Sequence, residues 1–203
     1  MNDNLENIVK SLFEAKYLRR IKRSGTSVFL GDEVNESIPE HSFYTSLWAL
    51  VIQKLNPDLD LGKLLTMCII HDLEEVRMGD LNQLNRLYVK VISSEQKAFA
   101  DMWAGSNVGK DFQKSHKEWE ENKTPEAIAA HECDILAELV TVKEYAQKGN
   151  KEAEEWLEAT RQRFKTDIAM KLADIVVKTR MSDWWKDIRN TIRKKHGIKP
   201  KKY

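Results

Sequence analysis

The stretch Leu64-Leu65-Thr66-Met67-Cys68-Ile69-Ile70-His71-Asp72-Leu73-Glu74-Glu75-Val76-Arg77-Met78-Gly79-Asp80 organises the chain. Its first seven residues, Thr66 apart, are apolar all round a helix, the pattern of a helix buried in a core. The run then meets an adjacent His and Asp, with Glu74, Glu75 and Asp80 close behind. Buried imidazoles and carboxylates are costly unless paired or bound to a metal. The stretch therefore reads as a core helix that delivers a polar site at its C-terminal end. His71 and Glu75 are four residues apart, so they share a helix face and can meet at one point.

Outward from this stretch the chain reads as helix throughout. Leu5 to about Ile21 carries Leu5, Ile8, Val9, Leu12, Phe13 and Leu18 on one face and closes in a basic cluster, Arg19, Arg20, Lys22 and Arg23. Ser24-Gly25-Thr26 and the polar segment Gly31 to Ser37 read as turn and loop. A second helix opens at Glu40-His41-Ser42, with Phe43, Leu47, Leu50, Val51 and Leu55 expected on its buried side. Asn56-Pro57-Asp58 ends it, and Asp58 or Asp60 caps the third helix. Leu81 to Asn85 reads as loop, and Ser93 or Ser94 as the cap of the helix that carries Ala98, Phe99 and Trp103.

Asp111 to Asn122 reads as a polar surface helix anchored by Phe112 and Trp119. Thr124-Pro125 is a strong start for a long helix to about Gly149, an N-cap followed by Pro at the first position. Helices over Lys151–Phe164 and Thr166–Lys195 follow, ended by Gly197 and Pro200. No period-2 strand and no repeat is evident. The expected class is all-α.

With 203 residues, the chain suits one domain plus a helical extension, drawn here at 1–150 and 151–203. Only eight Gly and four Pro punctuate it, which favours long helices. A net charge of +1 gives no general nucleic-acid or membrane surface, and no apolar run approaches the roughly 20 residues needed to span a bilayer. Cys68 and Cys133 read as buried thiols of a reduced compartment, and the expected location is cytoplasmic.

Five histidines narrow the site. His116 and His196 lie on polar stretches and read as solvated. His41, His71 and His131 lie in or beside apolar helices. Two imidazoles and two carboxylates with open positions suit a hydrolytic divalent ion, and His71-Asp72 supplies half of that set. His41, near the start of an amphipathic helix, is the better second histidine. The remaining carboxylate is an Asp inside an apolar helix, either Asp134 or Asp174.

The order His41, His71-Asp72, Asp134 resembles the H…HD…D signature of HD-domain metal-dependent phosphohydrolases. Glu36-Ser37-Ile38-Pro39-Glu40-His41-Ser42 is similar to the "ESVxEHS" element of the 5′-deoxynucleotidase-like branch, and His71 to Asp80 to its "HDLxExxxGD". Thr124 to Ala127 and Cys133 to Glu138 are similar to a third element of that branch. The resemblance spans roughly Leu5 to Tyr145. It implies an HD-domain helical bundle in which His41, His71, Asp72 and Asp134 bind one divalent metal ion, of the Mn, Co, Mg, Zn, Fe or Ni type. It implies that Glu75 orients or deprotonates the attacking water and that Asp80 assists near the leaving oxygen or the sugar. Arg23 falls on the arginine of "RxGW", a phosphate contact, while Thr26 stands where that motif has Trp, which leaves the sugar preference open.

The expected activity is hydrolysis of (deoxy)nucleoside 5′-monophosphates, with a homodimer as the assembly. Two rivals are a dNTP triphosphohydrolase of the same superfamily and a non-catalytic nucleotide-binding helical protein. A di-iron carboxylate bundle is excluded, because no His has a Glu three residues before it. The apolar face around Trp184-Trp185 is expected to pack on the domain or on a second subunit.

Overall fold

The computed structural model describes residues 4–31 and 36–198, and among these there is no strand beyond one isolated antiparallel bridge between Lys22 and Ser37. The helices are α1 (Leu5–Ala15), a 3-10 turn (Lys16–Arg20), α2 (Ser24–Leu30), α3 (Ile38–Leu55), α4 (Leu61–Ile70), and the short α5 (Glu75–Met78) and α6 (Gln83–Arg86). They continue with α7 (Val91–Met102), α8 (Asn107–Glu121), α9 (Pro125–Gln147), α10 (Lys151–Arg161), α11 (Asp167–Lys178), a 3-10 turn (Asp183–Trp185) and α12 (Lys186–Lys195). The all-α expectation holds. No helix among the described residues is long and apolar enough to cross a membrane.

α9 is the central rod. It starts at Thr124, whose Oγ1 accepts a hydrogen bond from the Ala127 amide at 3.2 Å, with Pro125 in the first turn. Ala127, Ala129, Ala130, Cys133, Leu136, Ala137 and Leu139 are buried on several of its sides, and α3, α4, α8, α10 and α11 all pack against it. Small residues let these helices approach closely. The thiols of Cys68 and Cys133 meet between α4 and α9; both are free, and burial together with Cys68 pushes the Cys133 thiol well up.

Several expectations are corrected. Ser24-Gly25-Thr26 is the first turn of α2 rather than a loop, because the Asp80 carboxylate accepts from the Ser24 amide and, at 3.4 Å, from the Gly25 amide. α3 is rotated from its expected setting. Ile38, His41, Thr45, Ala49 and Ile52 face inward, while Phe43, Leu47, Leu50, Val51 and Leu55 are all exposed. Asp60, not Asp58, caps α4 through the Lys63 amide at 3.0 Å. Asn82 starts the short α6 inside the expected loop, and α7 begins at Val91, before Ser93 and Ser94.

The last long helix is broken. Thr179 is extended, with φ −81° and ψ 137°, and α9 side chains take up the backbone around it. Lys143 Nζ donates to the Val177 carbonyl at 2.5 Å, and Gln147 Oε1 accepts from the Met181 amide at 2.9 Å. Trp184 beyond the break is 80% exposed, so it does not pack on the domain. Positions 32–35 of the polar loop, and Pro200 and the lysines at 199, 201 and 202, lie outside the described residues.

Leu136 is fully buried at the α9 crossing. Leu136→Ala is expected to cost about 2–5 kcal/mol by urea unfolding, through lost transfer energy and a residual cavity. A loss under about 1 kcal/mol would mean that this crossing is not the core.

Candidate metal centre and active site

Four elements converge at the C-terminal end of α4. His71 is the C-cap of α4, itself still helical with φ −59° and ψ −28°, and the turn over residues 71–74 that follows sets Asp72 beside it. The His71 Nδ1 lies 2.9 Å from the Cys68 carbonyl and donates to it, which leaves Nε2 as the nitrogen that can offer a lone pair once its proton is displaced. That Nε2 is buried without an in-line hydrogen-bond partner.

His41, fully buried on α3, approaches Asp134 of α9, Nε2 to Oδ1 at 2.7 Å. One ligand atom each from His41, His71 and Asp134 lies within 4.8 Å of the others. Two imidazole nitrogens and a carboxylate oxygen, with a nitrogen lone pair fixed by a backbone carbonyl behind it, form a donor set that fits a divalent transition metal. Asp72 stands beside this trio, its Oδ2 3.1 Å from His71 Nε2 and 3.3 Å from Arg23 Nη1.

Asp174 is removed as a rival to Asp134, since it pairs with Arg161 at 2.6 Å on α11. His131 is no ligand either. Its ring stacks on Trp119 at 3.7 Å, its Nε2 donates to the Trp119 carbonyl at 2.9 Å, and Trp119 in turn lies 4.8 Å from the His71 ring. His131 thus holds the indole that packs against the His71 ring.

Glu75 is 6% exposed, and its Oε2 has no hydrogen-bond partner in the protein. Burial, and then Asp72 and Asp80, push its carboxyl well above the usual range, which makes it a stronger base than a solvated glutamate. Of the basic cluster, only Arg23 turns inward. Burial opposes its charge, but Asp72, Asp134, Asp80 and Glu75 raise its pKa further. Asp80 has one oxygen committed to the start of α2, and its carbonyl accepts from Ser24 Oγ at 2.7 Å. It therefore fixes the turn that presents Arg23.

Arg23, His71, Asp72, Glu75, Asp80 and Asp134 all line one cavity of about 780 Å³, and His41 lies behind it against Asp134. Eight carboxylates line this cavity against three arginines. Each arginine is already matched: Arg23 with Asp72, Arg86 with Glu95 at 2.9 Å, and Arg163 with Glu138 at 2.7 Å.

One buried group escaped the sequence reading. His116, expected in solvent, is 4% exposed, stacked on Phe99 at 4.2 Å, and held between Glu74 at 3.3 Å and Glu120 at 3.8 Å. The signal was available, since Phe112, His116 and Trp119 share one helix face. Phe29 and Trp156, which also line the cavity, had no sequence signal connecting them.

The profile of the HD domain matches residues 15–176. The chain belongs to the HD domain family. The resemblance to HD-domain metal-dependent phosphohydrolases read from its motifs is thereby shown. It is similar to the 5′-deoxynucleotidase HDDC2 of Danio rerio, 23% identical over 146 residues that cover 70% of this chain and 72% of that protein. The corresponding Dictyostelium discoideum protein is 24% identical over 140 residues, covering 64% and 73%. Among solved structures, the PH0347 protein of Pyrococcus horikoshii OT3 has a TM-score of 0.72 at 25% identity, over 84% of this chain and 98% of that one. A predicted metal-dependent phosphohydrolase of Magnetospirillum magnetotacticum MS-1 shares the fold, with a TM-score of 0.67 at 19% identity over 87% and 92%.

Burial works against a charged His71, but Asp72 and Asp134 outweigh it and lift the imidazole to about 9 in the metal-free chain. Asp72 is held down to about 2: burial works against its anion, and His71 and Arg23 outweigh that. A metal must displace the His71 proton, whereas Asp72 is already ionised. Apparent affinity for Mn(II) should therefore fall about tenfold per unit as pH drops from 8 to 6. Calorimetry in buffers of differing ionisation enthalpy should show proton release on binding; a flat affinity with no proton release would remove His71 from the ligand set.

Proposed function

We propose that this HD-family chain is a metal-dependent phosphomonoesterase that hydrolyses (deoxy)nucleoside 5′-monophosphates to nucleoside and phosphate. The observation that carries this reading is the close grouping of His41, His71 and Asp134 beside an unpartnered, buried Glu75 and an inward Arg23. The names of the two deoxynucleotidase relatives support the nucleotide class.

In this reading His41, His71, Asp72 and Asp134 hold the divalent ion. Such an ion, when bound, polarises the phosphoryl group and acidifies water. The Glu75 carboxylate takes the proton of the attacking water as the water oxygen bonds to phosphorus, and returns it to the nucleoside 5′-oxygen as the old P–O bond breaks. Arg23 neutralises charge on the equatorial oxygens through its planar fork. Asp80 keeps Arg23 in position by holding the start of α2, and its place on the cavity wall is consistent with an approach to the sugar or leaving oxygen.

The charge balance bears on the rivals. A triphosphate brings additional negative charge and needs unpaired cations beyond the metal. Here the cavity carries an excess of carboxylates, and all three arginines are matched by acids, which favours the monophosphate. A protein that merely binds a nucleotide gains nothing from an unpartnered, buried Glu75, which costs stability.

Incubating the protein with a nucleotide panel and Mn, Co or Mg should release inorganic phosphate from monophosphates; triphosphate release from dNTPs would overturn the reading, as would no product at all. Glu75→Ala should lower kcat by about 10²–10⁴-fold with metal content unchanged. Retained turnover would remove Glu75 as the base.

The proposed assembly is a homodimer. Two apolar surfaces are available for it, the outward side of α3 and the Trp184-Ile188-Ile192 side near α12. Sedimentation should give about twice the 23.6 kDa chain mass, and a monomer at all concentrations would exclude it.

A further inference from the structure

We propose that the arm of the cavity between α2 and α10 is a nucleobase subsite, with Phe29 and Trp156 as its stacking wall and the Glu138–Arg163 pair as its polar edge. The inference rests on the reading of the centre as a nucleotide phosphatase and names the residues that recognise the base.

The argument starts from α2. Asp80 holds its N-terminus, Arg23 precedes it, and Phe29 lies six residues further along. At 1.5 Å per residue this is about 9 Å along the helix, room for a pentose between a phosphate at Arg23 and a ring at Phe29. Thr26, between them, is small and buried, and its Oγ1 donates to the Arg23 carbonyl at 3.1 Å. The aromatic wall on the α2 and α10 side of this cavity is thus supplied by Phe29 and Trp156, not by position 26.

Phe29 and Trp156 both line the cavity, with ring centroids 5.4 Å apart and tilted by 47°. A third ring between them would need about 7 Å, two successive carbon contacts. The pair is therefore closed, and a base stacks on its outward face. Phe29 is 38% exposed, so an apolar ring face is presented to the cavity rather than used in the core.

Glu138 lies one turn beyond Asp134 on α9, and its Oε2 accepts from Arg163 Nη1 at 2.7 Å. Because Glu138 neutralises Arg163, this arm suits an uncharged ligand rather than a further phosphate. Together the two side chains offer donors and acceptors, which is what the edge of a nucleobase carries. An aromatic face that lines the same cavity as a neutralised polar pair and a phosphate arginine fits a base better than an alkyl or an acidic group.

Two variants test this, Phe29→Ala at a partly exposed ring and Trp156→Leu, which keeps apolar bulk where Trp156 meets the core. The readout is the ratio of kcat/KM for 2′-deoxyadenosine 5′-monophosphate to that for 2-deoxyribose 5-phosphate, which has the same phosphate and sugar but no base. Loss of one base–aromatic stack should lower this ratio about tenfold in either variant. A ratio unchanged in both overturns the subsite.

Equilibrium dialysis of free deoxyadenosine against the metal-loaded protein reads the same contact without turnover. Binding should weaken about tenfold in each variant. No binding by the wild type, or equal binding by all three proteins, overturns the subsite. If the wild type hydrolyses no nucleotide, the proposed activity fails, while the dialysis result still decides the subsite by itself.

Discussion

The contact between His41 Nε2 and Asp134 Oδ1, 2.7 Å long and set between α3 and α9, is the constraint on which the arrangement depends. His41 is fully buried, and a buried imidazole needs a partner, so α3 must turn the face bearing His41 toward α9. That rotation brings Thr45, Ala49 and Ile52 inward and sends Phe43, Leu47, Leu50 and Val51 outward, against their hydrophobicity. The small inward residues permit close approach to the alanine-rich side of α9. A polar requirement has overridden the simple apolar-inside rule, and the outward apolar face follows from it.

The same logic extends through the cavity. Carboxylates outnumber cations there, and such an excess of like charge is tolerable only where cations or a metal lie among the acids. Arg23 feels four of these acids at once, Asp72 most strongly. Glu75, at the edge of the group, absorbs the remaining repulsion by favouring its protonated form. Its basicity is thus a consequence first of its burial and then of where Asp72 and Asp80 have been placed. His131 and Trp119 form a stacked support for the His71 ring, so that a histidine outside the grouped His41, His71 and Asp134 still shapes their surroundings.

Much of this was legible before folding. The run Leu64 to Ile70 ending in His71-Asp72 announced a core helix with a polar end, and α4 is that helix, capped by His71. Thr124-Pro125 marked the start of α9 to the residue. Asp134 stood out because an acid among Cys133, Ile135 and Leu136 needs a reason to be there. By contrast, Asp174 looked equivalent in its own apolar helix, and only its surface pairing with Arg161 separated the two. Its polar sequence neighbours suggest solvent for His116, although its partners in space are Phe99 of α7 and Glu74 of the segment preceding α5.

By itself the sequence determined the helical class, the positions of the main helix starts, and the residue types able to hold a metal, because periodicity, capping and local composition are short-range properties. Only the tertiary structure decided which face of α3 is buried, that Asp80 starts α2, that the last helix breaks at Thr179, and that Phe29 meets Trp156. Each of these is set by a partner distant in the chain. The opening stretch carries His71, Asp72 and Glu75, but their neighbours His41, Asp134 and Arg23 reach them only through packing around α9, and no local pattern records that approach.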